Sequence, residues 1–125
     1  MYKEISEENM KKLVVHFYAK VTKNVDIGPF FTDRLGNNMG NDLWRQHLGL
    51  LRRFWSGMIL GSGAYTGDPS APLMRMETLS IESFQTWLKL FHETVDNVYD
   101  ETSGEHLKQR SAMVAHNFMR NLKLI

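Results

Sequence analysis

Five histidines are the first residues to weigh, because imidazole is both the commonest metal ligand and the proton shuttle of neutral pH. They stand at positions 16, 47, 92, 106 and 116, with no HExxH motif and no pair spaced i, i+4. A zinc site built from protein alone is therefore not expected. His47 differs from the others in falling among Trp44, Leu48 and Leu51 on the apolar side of a helical pattern. A histidine so placed is either a core residue with a satisfied hydrogen bond or a group that faces a ligand. Tyr18 lies on or beside the face of Leu13, Val14, Phe17 and Val21, and Trp87 faces inward in its own segment. Each alone is explained by core packing, but a buried phenol or indole wants a hydrogen-bond partner. One polar-tipped aromatic from each of three segments suggests a pocket whose interior needs donors. Eight methionines suit a flexible apolar pocket, or a loosely specified core. Arg52 and Arg53 fit a solvated face, although arginine also holds carboxylates.

The segments that carry these residues read as helices. Ser6 is an N-cap followed by Glu7 and Glu8, where carboxylates suit the positive end of the helix dipole. Met10, Leu13, Val14, Phe17, Tyr18 and Val21 continue at helical spacing to an end near Lys23. Gly28 and Pro29 open a short helix that stops near Gly36. From Asp42, the residues Leu43, Trp44, His47, Leu48, Leu51, Phe54, Trp55, Met58 and Ile59 keep the rhythm until Gly61 and Gly63. Ser80 caps another helix with Phe84, Trp87, Leu88, Phe91, Val95 and Val98 on one face. Thr102 and Glu105 form a capping-box pattern ahead of Leu107, Val114, Phe118 and Leu122. Between the third and fourth long patterns lies "YTGDPSAPLMRM", residues 65–76, which predicts a long loop with at most a turn or two of helix near 70–76. Long loops in compact domains are more often functional than average. No strand signal or repeat competes, so the expectation is one all-α domain over 1–125, with four main helices plus short ones.

Composition removes several classes of function. Lys plus Arg number 15 against 14 for Asp plus Glu, which gives no electrostatic reason to expect nucleic acid or an anionic membrane. Without cysteine there are no disulfides, thiolate zinc sites or iron–sulfur clusters. The start "MYKEISEENM" is polar where a signal peptide would be apolar, and no apolar run approaches the roughly 18 residues of a membrane span. A soluble, cytoplasmic protein is expected.

The blocks "FYAKVTKNVDIGPFF", "LWRQHLGLLRRFWSGMILG", "YTGDP" and "FQTWLKLF" resemble the truncated haemoglobins, specifically their third group, over nearly the whole chain from about Ser6. The resemblance implies a globin-like two-over-two helical sandwich around haem. It also implies a distal side on which Tyr18, His47 and Trp87 contact iron-bound gas, within an apolar wall of Phe17, Phe31, Leu48, Leu51, Phe54 and Trp55. Arg75 and Arg52 are candidates to pair with haem propionates.

One position departs from the family. After the Tyr-x-Gly-x-Pro signature the family places its iron-binding proximal histidine, and an ungapped count from Tyr65 and Gly67 to Phe84 and Trp87 puts Leu73 there. Leucine has no lone pair to give to iron. Met74 and Met76 carry thioether sulfurs, and in a helical segment Met76 would lie about one turn further along the same side. Iron is then left to His47 from the distal side, to a weak Met76 sulfur, or to a gas bound with altered affinity. Stable oxygen carriage is not expected, the redox partner is unspecified, and a role in binding, sensing or redox chemistry of O2 or NO is one reading. The alternative reading is a haem-free globin fold used as a binding or interaction module.

Overall fold

A computed structural model describes residues 1–61 and 79–125. Leu73, Met74, Arg75 and Met76, Gly63, and any turn of helix near 70–76, lie outside the described residues. Five helices follow one another: α1 (Glu7–Lys23), α2 (Gly28–Leu35), α3 (Asp42–Leu60), α4 (Ile81–Val98) and α5 (Glu101–Asn121). The architecture of the described residues is all-α, with extended pairing limited to an isolated bridge between Tyr2 and Tyr99.

Local chemistry sets most of the boundaries. Ser6 Oγ accepts from the Asn9 amide at 3.2 Å while Asn9 Oδ1 accepts from the Ser6 amide at 2.9 Å, so two of the amides left unpaired at the helix start are satisfied reciprocally. Glu7 and Glu8 in the first turn, with Lys20 and Lys23 in the last, complement the dipole of α1. Ser80 caps α4 by accepting from the Ser83 amide at 3.3 Å. Gly61 ends α3 in the left-handed conformation, at φ 68°. Pro29 sits in the first turn of α2, where its missing N–H costs nothing.

The last helix begins two residues earlier than the Thr102 pattern predicts. Its N-cap is Asp100, whose carboxylate accepts from the Ser103 amide at 2.9 Å. Aspartate is the better cap, and the chain around it is held extended from outside the helix. The Tyr2 amide donates to the Val98 carbonyl and the Asp100 amide donates to the Tyr2 carbonyl, each at 2.9 Å. Ser103 Oγ adds a bond to the Lys3 carbonyl at 2.6 Å. The N-terminal strap thus fixes the turn that separates α4 from α5.

Helix α1 is the centre of the packing, touching α2, α3 and α4, while α5 lies against α4. All six apolar positions read from its sequence are buried: Met10, Leu13, Val14, Phe17, Tyr18 and Val21. Each contributes roughly 1.5–3 kcal/mol by leaving water. Gly28 lets α2 start close to the end of α1, since a Cβ there would lie 2.9 Å from the carbonyl oxygens of Val21 and Thr22. In α3 the buried stripe runs through Trp44, Phe54, Trp55 and Ser56, whereas Leu43, at the edge of the apolar line, and Met58, in its last turn, stay exposed. Ser56 Oγ donates to the Glu7 carboxylate, and Arg52 Nη1 stands 4.0 Å from the other oxygen of the same group. These contacts join α3 to the first turn of α1.

Candidate functional site

Tyr18 from α1, Phe31 from α2, and Trp44 and His47 from α3 meet in one aromatic cluster. The His47 ring stands perpendicular to Tyr18, with centroids 5.5 Å apart, and at 84° to Trp44, at 5.8 Å. Phe31 closes the third side, 6.1 Å from His47 and 5.2 Å from Tyr18. These edge-to-face arrangements are the favoured geometry for aromatic quadrupoles. Helical spacing explains the composition: Trp44 and His47 are three apart on α3, so they lie one above the other on the same face.

A second cluster continues from the first through Phe17. Its ring lies 4.8 Å from Tyr18, 5.5 Å from Trp87 and 5.1 Å from Phe91. Trp87, Phe91 and Trp55 are stacked nearly parallel, with Trp87 to Phe91 at 5.6 Å and Trp55 to Phe91 at 4.9 Å. Phe54 meets Trp55 edge-on at 5.3 Å. Leu48 and Leu51 are half-buried against this core from α3.

The electrostatics of the first cluster follow from burial. His47 Nε2 is buried and has no hydrogen-bond partner among the described residues. Loss of water pushes its imidazole below the ordinary histidine range, so the ring is held neutral with a lone pair on one nitrogen. Burial pushes the Tyr18 phenol up, and its hydrogen-bonding interaction with the Trp87 indole opposes that only in part. The phenol therefore keeps its proton through neutral pH. A buried polar atom without a partner is unusual and calls for a reason. A neutral imidazole so placed, among rings and apolar side chains, is a group able to meet a ligand or a metal ion. The described residues hold no group of three or more His, Cys, Asp or Glu that would bind a bare metal ion.

No family model matches the chain. It is 36% identical over 121 residues to the group 3 truncated hemoglobin ctb of Campylobacter jejuni, spanning 97% of this chain and 94% of that protein. The crystal structure of the group III truncated hemoglobin from Campylobacter jejuni superimposes with a TM-score of 0.88 at 36% identity, over 97% of this chain and 94% of that one. The chain belongs to the group 3 truncated haemoglobins. Its five helices are accordingly the globin-like fold of that family.

In this truncated haemoglobin Tyr18 and His47 are direct neighbours, and Trp87 is joined to them through Phe17, which touches both Tyr18 and Trp87. Phe31 lies in the same cluster, and Leu48, Leu51 and Phe54 belong to the surrounding core. Arg52 sits next to a carboxylate of its own chain, Glu7. Two residues of the clusters are absent from the sequence-derived site, Trp44 and Phe91. Both are apolar helix positions one turn from a site residue, Trp44 three before His47 on α3 and Phe91 four after Trp87 on α4, so helical spacing was the signal that could have found them. Of the remaining histidines, 16, 106 and 116 are exposed, and His92 lies 3.3 Å from Ser111 Oγ between α4 and α5. Among the described residues no helix is long and apolar enough to cross a membrane.

Proposed function

We propose that this protein binds haem with an atypical axial arrangement, in which His47 Nε2 is the protein ligand, and that it acts in diatomic gas binding, sensing or redox chemistry. The observation that carries this reading is the buried Nε2 of His47, unpartnered among the described residues and set within the Tyr18, Phe31 and Trp44 rings. Family membership and the ungapped count that puts Leu73 in the proximal place support it. Met76 is the second candidate for the iron, and Leu73, Arg75 and Met76 complete the set of residues assigned to the cofactor.

Bound haem would supply an iron atom able to take O2 or NO. What the chain itself provides is a neutral imidazole, a protonated phenol and an indole. Where His47 does not occupy the iron, the Tyr18 O–H and the Trp87 N–H would donate hydrogen bonds to a polar ligand on their side, and a dry, low-dielectric surround strengthens such bonds. Phe31, Leu48, Leu51 and Phe54 exclude water. Enclosing a haem buries several hundred Å² of apolar surface, on the order of 10 kcal/mol before association costs. Retention without the usual proximal histidine is consistent with that magnitude.

Titration of haemin into the purified protein tests the reading. A Soret band distinct from that of free haemin is expected, shifted again in His47→Ala, and Leu73→His is expected to restore ordinary globin spectra. A band identical to free haemin in a well-folded protein overturns it in favour of a haem-free interaction module. An unshifted His47→Ala spectrum removes His47 as ligand.

A further inference from the structure

We propose that Trp44 is the positioning residue of the His47 imidazole, setting the plane of that ring from one helical turn away. His47 has no hydrogen bond at Nε2 to orient it among the described residues. Among the described residues the groups that bear on its orientation are the rings that touch it, Tyr18, Trp44 and Phe31. Of these, Trp44 is anchored to the main chain: its indole Nε1–H donates to the Gly36 carbonyl at 2.7 Å. The ring is also completely buried, so it has no solvent-side rotamer to escape into.

The anchor point is itself braced by its neighbours. Gly36 has φ 89°, in the region that favours glycine, and a Cβ there would stand 3.1 Å from Asn41 Nδ2. Asn41 Nδ2 donates to the Leu35 carbonyl at 2.8 Å, and Asn41 Oδ1 accepts from the Trp44 amide, also at 2.8 Å. The main chain and the ring of Trp44 are thus both tied to the connection between α2 and α3. Trp44 also packs on Tyr18, with centroids 6.1 Å apart, so one anchored indole backs both polar-tipped residues of this cluster. A ring held in one orientation loses less freedom when its nitrogen meets a ligand.

The positioning itself is a property of the haem-free chain; its consequence for haemin affinity rests on the proposed function. Trp44→Phe keeps an aromatic ring and removes the anchoring N–H. In haem-free protein with isotope-labelled histidine, NMR side-chain couplings and contacts to the Tyr18 ring are expected to show one His47 rotamer in the wild type and averaging in Trp44→Phe. With haemin, Trp44→Phe is expected to weaken binding about fivefold when His47 is present and less than about twofold in the His47→Ala background. A folded Trp44→Phe protein that keeps a single His47 rotamer overturns the proposal, as do equal losses in both backgrounds. If Trp44→Phe does not fold, Gly36→Ala displaces the acceptor carbonyl with Trp44 intact and is expected to give the same averaging; an unchanged rotamer there is equally fatal. Haemin binding that ignores His47→Ala sinks the ligand role alone, and the NMR comparison still decides the role of Trp44.

Discussion

The Tyr99 phenol donates a hydrogen bond to Asn9 Oδ1 at 2.5 Å, joining the turn between α4 and α5 to the first turn of α1. Asn9 is a small hub: the same oxygen accepts from the Ser6 amide, and its Nδ2 donates to the Glu4 carbonyl at 2.7 Å. Both residues are buried, so water cannot replace a lost partner.

That asymmetry predicts unequal costs. Tyr99→Phe leaves Asn9 Oδ1 with the Ser6 amide and should cost ~1 kcal/mol, whereas Asn9→Ala strands the phenol, the Ser6 amide and the Glu4 carbonyl and should cost ~2–3 kcal/mol. Urea unfolding of the two variants checks the order, and equal costs would show that the hub adds nothing beyond a single bond. The pair also shapes the alkaline limit. Burial, with the Tyr2 phenol nearby, pushes the Tyr99 phenol up, and Tyr18 is pushed the same way. A raised folded value means stability present below an unfolded value of about 10 and lost as pH rises towards the folded one. The wild type should therefore weaken above about pH 10, and Tyr99→Phe should keep only the part of that slope due to Tyr18.

The start of α5 gives a second prediction. Asp100 accepts from the Ser103 amide, and Thr102, the residue favoured by the capping-box pattern, is exposed and already inside the helix. Asp100→Ala should cost ~1 kcal/mol, and Thr102→Ala should be neutral within about 0.5 kcal/mol. Thermal unfolding of the two variants separates them, and a reversed order would put the helix start back at Thr102.

The same helix shows where sequence reading reached and where it stopped. The apolar face of α1, the Ser6 and Ser80 caps, Pro29 in the first turn of α2 and Gly61 at the end of α3 were all legible, because each is a local rule written in neighbouring residues. The cap at Asp100 was not, because Tyr2 and Lys3, nearly a hundred residues away, hold that turn extended. The clustering of Tyr18 with His47 was anticipated from helix faces and the family resemblance. The anchoring of Trp44 to Gly36 was not, since it needs a positive-φ carbonyl that only the folded connection supplies. Buried polar pairs such as Tyr99 with Asn9 were missed for the same reason: an asparagine in a helix reads as surface until the packing is known.

The acid limit of the fold should report on His47. Burial holds its imidazole below the ordinary value of about 6.5, so protonation is resisted in the folded chain and free in the unfolded one. Between about 6.5 and the lower folded value, the unfolded state binds more protons, and stability falls as pH falls. His47→Phe carries no titrating group there and should lack this component while keeping an apolar ring against Tyr18, Phe31 and Trp44. Urea midpoints of both proteins at pH 7.5, 6.5 and 5.5 isolate the effect by difference, with the gap between them changing in favour of the variant as pH drops. Parallel midpoints at all three pH values would mean that His47 titrates alike in the folded and unfolded chains, and its Nε2 would then be in contact with water. The neutral ring is also the form whose lone pair can reach a metal, so haemin binding should begin to weaken only as pH falls to the lower folded value at the bottom of that window, in the wild type and not in His47→Phe.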